Sequence, residues 1–131
     1  MKKSTATLDR LRSLCMGLPE TNETQAFGHP NFRAGKKTFC VFEHYHGRPC
    51  IAFKATVPEQ QTLVGDERFF VTPYVGKHGW VSLWVDRPFS WSMVKDLALR
   101  ADRLAASNKM HSVLDSGAGP SPRRPSLRRV T

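Results

Sequence analysis

The sequence contains no apolar run that approaches the roughly 18 residues needed to span a membrane as a helix. Its start, MKKSTAT, carries positive charge, but Arg10 and Arg12 interrupt the region where a signal peptide would have its apolar core. Cysteine is scarce. Cys15, Cys40 and Cys50 are an odd number without framework spacing, which is typical of a reducing compartment. We therefore expect a cytoplasmic protein with no membrane segment.

The spacing of the cysteines also disfavours a disulfide between Cys40 and Cys50. These residues lie on what the pattern predicts as consecutive strands. A turn at residues 46–47 places Cys40 opposite Phe53, and a turn one residue later places it opposite Ala55. Neither register brings the two sulfur atoms together.

Residue sets that carry catalysis or hold metals are also missing. No glycine-rich loop followed by a helix is present, which argues against nucleotide hydrolysis. Cys40, His44 and His46 share a strand face, but the close ligand pairs of structural zinc sites are absent. His29, with Glu20 or Glu23, is the nearest approach to a general-base pair. We expect no enzyme activity, no catalytic residues, no metal and no cofactor.

Positive charge is what the chain has in excess. The net charge is +9, and it divides into +6 for residues 1–112 and +3 for residues 113–131. The excess therefore belongs to the body of the chain as well as to its end. Such a surface favours nucleic acid or another polyanion as the partner, although a solubilising charge without a partner is the simpler alternative.

Hydrophobic periodicity predicts the order helix, three strands, short helix, two strands, helix. The first helix carries an apolar stripe from Leu8 to Leu18, and the last carries one from Val94 to Ala105. Pro58 suits the first turn of the short helix, with Thr56 as its cap. Strands joined by tight turns pair antiparallel. The fold class is therefore α+β, with helices at both ends of the chain packed on one antiparallel sheet of about five strands.

Two ranges follow from composition. Residues 1–111 form the α+β domain. Residues 112–131, rich in Ser, Gly, Pro and Arg, bury too little apolar surface to offset their chain entropy, so they are expected to form a disordered basic tail.

The stretch from Phe69 to Asp86 organises the second half of the domain. Its second strand alternates, with Val81, Leu83 and Val85 on one face and Trp80, Ser82 and Trp84 on the other. Gly76-Lys77-His78-Gly79 lies between the two strands, and the glycines permit a tight turn with outward side chains.

The motifs of the chain resemble those of the MmcQ/YjbR family. They include Leu18-Pro19-Glu20-Thr21, Gly28-His29-Pro30, Phe32-Arg33, Gly35-Lys36 and, most specifically, Tyr74-Val75-Gly76-Lys77-His78-Gly79-Trp80-Val81. The resemblance covers roughly residues 8–106. It implies a small bacterial protein with a frataxin-like fold and a double-wing, DNA-binding role. Frataxins bind iron through an acidic ridge, but the inverted charge of this chain argues against iron.

The two glycine-containing turns are the candidate wings. Lysine and arginine on rigid turns can contact phosphates and displace condensed counterions. The predicted DNA contacts are Arg33, Lys36, Lys37, Lys77 and His78.

Tyr74 and Trp80 flank the second wing, where they either stack on an exposed base or lock the hairpin onto the sheet. The alternative function is a module that binds a small ligand or a protein partner. The binding cleft of that module would be lined by His29, Phe32, Tyr74 and Trp80. We expect a monomer for either function.

Overall fold

A computed structural model of the chain describes residues 2–26 and 28–113, with side chains for residues 5–26 and 28–106. Three helices and six strands make up the fold. In chain order they are α1 (Lys2–Met16), β1 (Thr21–Ala26), β2 (His29–Ala34), β3 (Lys37–Tyr45), β4 (Arg48–Phe53), α2 (Val57–Leu63), β5 (Phe69–Val71), β6 (Val81–Trp84) and α3 (Trp91–Val113). The predicted basic tail falls largely on residues 114–131, which lie outside the described part.

The strands form one antiparallel sheet in the order β1-β2-β3-β4-β6-β5. This confirms the predicted α+β class. The sheet has a sixth strand, because β1 forms between the first helix and the first strand of the predicted order. β1 is an edge strand with no fully buried side chain, so its sequence lacks the apolar alternation by which strands are recognised. Backbone pairing with β2 holds it in place.

The hairpin of β3 and β4 has the first of the two predicted registers. Cys40 lies opposite Phe53, and Cys50 lies opposite Glu43. All three cysteines are buried and reduced. The turn at residues 46–47 places both His46 and Gly47 at positive φ, which completes a two-residue connection.

The core lies between one face of the sheet and helices α1 and α3. Its largest fully buried side chains are Phe32, Phe39, Phe53, Leu11, Ile51 and Leu83. The predicted stripe of α3 packs here through Val94, Leu97, Ala98, Ala101 and Ala105. Arg12 of α1 forms a two-pronged ion pair with Glu23 of β1, at 2.7 and 3.0 Å, which fastens the helix to the edge strand. Within the described ranges, no helix is long and apolar enough to cross a membrane.

α2 begins with the predicted cap. The Thr56 side chain accepts from the Glu59 backbone N–H, and the Glu59 carboxylate accepts from the Thr56 N–H, which completes a capping box. Pro58 occupies the first turn, where its missing N–H costs nothing. Gln60 of this helix is buried and faces the segment between β5 and β6.

Strand direction decides which loops share an end of the sheet. Because every neighbouring pair is antiparallel, β2, β4 and β5 run one way and β1, β3 and β6 run the other. The β2–β3 turn and the β5–β6 connection therefore leave from the same end. Their midpoints are three strand spacings apart in the sheet order, which is about 14 Å at ~4.8 Å per spacing.

Candidate functional site

The face of the sheet opposite the helices carries the candidate site. Residues paired across strands share a face, and the paired row Asn31, Val41 and Ala52 lies on this side. Glu43 and Cys50 form the next row. We call this side the open face, because α1 and α3 cover the other one.

Residues 72–80, which connect β5 to β6, form one wall of the site. The connection was predicted as a tight turn, and this is wrong. It spans nine residues and contains a 3-10 turn at Gly76–His78. Pro73 ends the ladder after β5, and the Val75 N–H donates to the Pro73 carbonyl at 2.8 Å, which bends the chain before the glycines are reached.

The two glycines of this segment are needed for close packing. A Cβ on Gly76 would lie 2.3 Å from Cγ1 of Val71. A Cβ on Gly79, where φ is +99°, would lie 2.1 Å from the carbonyl oxygen of Ala55. At both positions the glycine backbone lies so close to a neighbouring residue that a residue with a Cβ atom would not fit. Lys77 and His78, between the glycines, remain exposed.

Gln60 of α2 holds the 72–80 segment through hydrogen bonds. Its buried amide Nε2 donates to the carbonyl oxygen of Gly76 at 2.7 Å and to that of Trp80 at 2.8 Å. Each carbonyl also accepts from a backbone N–H, that of Gly79 for Gly76 and that of Thr72 for Trp80, so the Gln60 amide adds a second hydrogen bond to each. One side chain of α2 thus holds both ends of the 3-10 turn.

Between the 72–80 segment and the open face lies a cleft of about 350 Å³. We call it the cleft. It is lined by Ala26, His29, Asn31, Thr38, Val41, Glu43, Tyr45, Ala52, Thr72, Pro73, Tyr74, Val75 and Trp80. Three of the four residues predicted for a pocket are in this set. The inclusion of Phe32 is wrong, because it is fully buried in the core and points to the helix face.

Tyr74 is the most exposed large hydrophobic residue recorded in the described part of the chain. The residue is 94% exposed, and its backbone has φ of +69°. A bulky residue rarely adopts this conformation, and exposure of an aromatic ring gains nothing for the fold. Tyr74 thus holds an aromatic ring at the rim of the cleft at a cost to stability.

The floor of the cleft is polar and partly desolvated. Burial raises the pKa of Glu43, while the nearby His29 and a hydrogen bond with Tyr45 act in the opposite direction. Burial, together with the Glu43 charge, raises the pKa of Tyr45 to about 12. Tyr74 contributes to that shift, so the two tyrosines lie near each other. The Asn31 amide donates to the His29 carbonyl at 3.0 Å, which leaves its own oxygen as an acceptor.

Beyond Tyr45 the open face is closed by stacked side chains. Phe70 stacks on Trp84 with ring centroids 4.3 Å apart, and Tyr45 meets Phe70 edge-on. The Arg48 guanidinium lies 3.9 Å from the Trp84 ring centroid and forms a two-pronged ion pair with Asp86. Tyr45 therefore marks the boundary between the cleft and a packed aromatic cluster.

The predicted DNA contacts lie on or next to the two connections that leave from one end of the sheet. Lys36, Lys37, Lys77 and His78 are exposed, and none of them joins an ion pair recorded among the described residues. We call residues 33–37 and 77–78 the cationic end.

Arg33 is partly buried, and its Nη2 donates to the Lys36 carbonyl at 2.6 Å, so it braces the turn. Glu20 also reaches this turn, since its carbonyl accepts from the Gly35 N–H at 3.4 Å.

Four arginines elsewhere in the described residues are paired with carboxylates. Arg12, Arg48, Arg68 and Arg100 each contact a carboxylate, at distances between 2.6 and 3.4 Å. Lys54 has its pKa lowered by burial and by the neighbouring Lys37. Lys54 thus adds a partly buried amine close to Lys37 and the β2–β3 turn.

Sequence reasoning missed Glu43, Tyr45 and Gln60. Glu43 and Tyr45 lie at the end of β3, and a polar residue at an open-face position gives no signal unless that face is known to be uncovered. Gln60 resembles any exposed glutamine in a short helix. Among residues 2–26 and 28–113, no group of three His, Cys, Asp or Glu residues is placed to hold a metal ion.

Comparison with known proteins agrees with this architecture. A crystal structure of a Pseudomonas syringae protein superposes with a TM-score of 0.64 at 12% identity, covering 74% of this chain and 97% of that one. The crystal structure of Deinococcus radiodurans protein DR2400, described by the domain DUF419, gives 0.66 at 19% identity, with 92% and 95% covered. At these identities the likeness shows the fold alone. No curated protein matches the chain significantly. The YjbR family model matches residues 16–103, and the chain belongs to the YjbR family.

Proposed function

We propose that this protein is a cytoplasmic, non-enzymatic, monomeric DNA-binding protein that contacts phosphates through its cationic end. One observation carries the proposal. The two turns that hold Lys36, Lys37, Lys77 and His78 leave from the same end of one sheet, and these side chains are exposed.

The spacing of the turns suits a duplex. The separation of about 14 Å is close to the ~12 Å width of the DNA major groove, so the turns can reach phosphates on its two sides. Each lysine that meets a phosphate releases condensed counterions, and this release drives binding without reading sequence.

Both turns are held firmly, which lowers the entropic cost of binding. Arg33 braces the first by donating to the Lys36 carbonyl. Gln60 braces the second by donating to the Gly76 and Trp80 carbonyls. Contacts from pre-organised turns lose less side-chain and backbone freedom than contacts from flexible loops.

The test is a titration of labelled duplex by fluorescence anisotropy between 50 and 200 mM salt. For wild-type protein we expect affinity to fall linearly on a log–log plot. Lys36→Ala with Lys77→Ala removes two contacts. Each phosphate contact contributes ~0.9 to the slope of log affinity against log salt, so the variant's slope should be about 1.8 smaller than that of wild type. Between about 50 and 200 mM salt, the affinity of wild type should therefore fall roughly tenfold more than that of the variant. Lys95→Ala, an exposed lysine on α3, is the matched control and leaves the slope unchanged.

A second variant separates the domain from the C-terminal arginines. This variant keeps the full chain and replaces four arginines by Ala, which removes their charge: Arg123, Arg124, Arg128 and Arg129. If this variant abolishes binding while the lysine variant does not, the arginines carry the interaction and the proposal fails. If neither variant changes the slope, the proposal fails as well.

The cleft itself favours a second candidate function, a module that binds a small ligand. Its volume of about 350 Å³ lies within the ~300–1,000 Å³ of small-molecule sites. Absent or salt-insensitive DNA binding, together with occupancy of the cleft by a small molecule, would favour this second function.

A further inference from the structure

The cleft and the cationic end adjoin each other. Thr38, which lines the cleft, directly follows Lys37 of the first turn. Val75 and Trp80, which line it on the other side, flank the residues that carry Lys77 and His78. A strand whose phosphates meet the two turns would therefore have its bases near the part of the cleft that is lined by Thr38, Val75 and Trp80.

The walls of the cleft suit a flat ring. Tyr74 and Trp80 provide aromatic surfaces, and Val41, Ala52 and Val75 provide small apolar ones. Every nucleobase has a π-face that stacks on such side chains. The volume lies near the lower limit for small-molecule sites, so it admits one ring system rather than a long ligand.

The floor of the cleft presents hydrogen-bond acceptors, so a matching ligand should carry donors. Glu43 is about half-buried, and it has His29 nearby and one hydrogen bond with Tyr45, while no ion pair is recorded for it among the residues described. An ionised carboxylate only accepts hydrogen bonds, and the Asn31 amide oxygen is a second acceptor close by. Amino and ring N–H groups of bases are neutral donors of the kind that carboxylates and amides recognise. A purely apolar ligand would leave the remaining acceptor positions of these two groups unpaired.

We propose that the cleft binds one unpaired nucleobase, stacked against Tyr74 and Trp80 and donating hydrogen bonds to Glu43. The base belongs either to a single strand or to a free nucleotide. The strand-borne form rests on the proposed DNA-binding function, and the free form does not.

The first arm of the test uses single strands of constant charge. An 11-mer of abasic spacers is compared with the same strand carrying one central guanine or one central thymine. We expect the guanine strand to bind about tenfold more tightly than the abasic strand, because one base stacks on aromatic side chains. The salt slopes should be equal, since the phosphates are the same.

Variants test which residues produce the tighter binding of the guanine strand. Tyr74→Ala removes the difference between the guanine and abasic strands, whereas Tyr74→Phe keeps it. Val57→Ala, an exposed apolar residue outside the cleft, is the matched control. Tyr74 is exposed, so its replacement leaves the fold intact. Glu43→Gln reduces the preference for guanine over thymine. Lys36→Ala with Lys77→Ala weakens all three strands alike.

The second arm uses guanosine monophosphate as a free ligand, with ribose phosphate as its control. Stacking on Trp80 should quench tryptophan fluorescence at millimolar nucleotide, and Tyr74→Ala should weaken this binding. Binding of the nucleotide but of no strand supports the cleft proposal and overturns the phosphate proposal. A guanine strand no tighter than the abasic one, with no nucleotide binding, overturns the cleft proposal. Salt-dependent binding of the abasic strand would still leave the phosphate proposal standing.

Discussion

Replacement of Gln60 by Met tests whether one buried amide holds the wall of the cleft. The two side chains have similar volume, so little cavity forms. The variant loses the donor to the Gly76 carbonyl at 2.7 Å and to the Trp80 carbonyl at 2.8 Å. The Gly76 carbonyl keeps the Gly79 N–H at 2.9 Å and the Trp80 carbonyl keeps the Thr72 N–H at 3.3 Å, so neither acceptor is left without a partner. At ~0.5–1.5 kcal/mol net for each lost hydrogen bond, we expect the free energy of unfolding to fall by about 1–3 kcal/mol.

Urea unfolding followed by tryptophan fluorescence measures this loss. With a slope of ~1–3 kcal/mol per molar urea, the midpoint should fall by about 1 M. Gln25→Ala, an exposed glutamine on β1, is the control and should change stability by less than ~0.5 kcal/mol.

The same variant links stability to function. A loosened 72–80 segment no longer presents Lys77 or the Tyr74 ring in a fixed position, so both the salt slope and the guanine preference should decrease. A midpoint that shifts no more than that of Gln25→Ala would refute the assignment of Gln60 as the anchor.

Two further predictions concern the fold around the site. Gly79→Ala should destabilise by about 2–5 kcal/mol, because strain at positive φ adds to a Cβ placed 2.1 Å from the Ala55 carbonyl oxygen. Gly47→Ala, at φ of +75° with nothing within 4 Å, should cost only about 1 kcal/mol in the same melt, and equal losses would contradict the packing argument. Burial raises the folded-state pKa of Glu43 above its usual value of 4.5, so its protonated form is the stabilising one, and stability falls as pH rises through the folded pKa. Glu43→Gln should therefore be more stable than wild type at pH 7 and lose that advantage near pH 4, and a constant difference between the two pH values would contradict this sign.

Much of the fold follows from local patterns in the sequence. The apolar stripes of the terminal helices, the Thr56 cap and the register of the β3–β4 hairpin each depend on neighbouring residues and simple periodicity, and the structure confirms them. β1 could not be found in this way. Its polar side chains pair at a sheet edge, and pairing between strands leaves no periodic signal in a strand without a buried face.

The candidate site was predictable only in part. Exposed lysines beside glycines in turns follow from local chemistry. The cleft depends on which face of the sheet the helices leave uncovered, and this is a tertiary property. Phe32 was misassigned for that reason, since the sequence places it beside Arg33 but does not say to which face it points. The glycines were expected for their flexibility, and their contacts with Val71 and Ala55 were beyond sequence reasoning.

The most direct test of the DNA-binding proposal is a map of amide chemical shifts. A 14.8 kDa protein is suited to ¹⁵N–¹H spectra recorded with increasing amounts of a short duplex at low salt. We expect the largest changes at residues 34–38 and 74–80, reversed by added salt. Changes concentrated on α1 and α3, or spectra unaltered by excess duplex, would contradict the proposal that the cationic end contacts DNA.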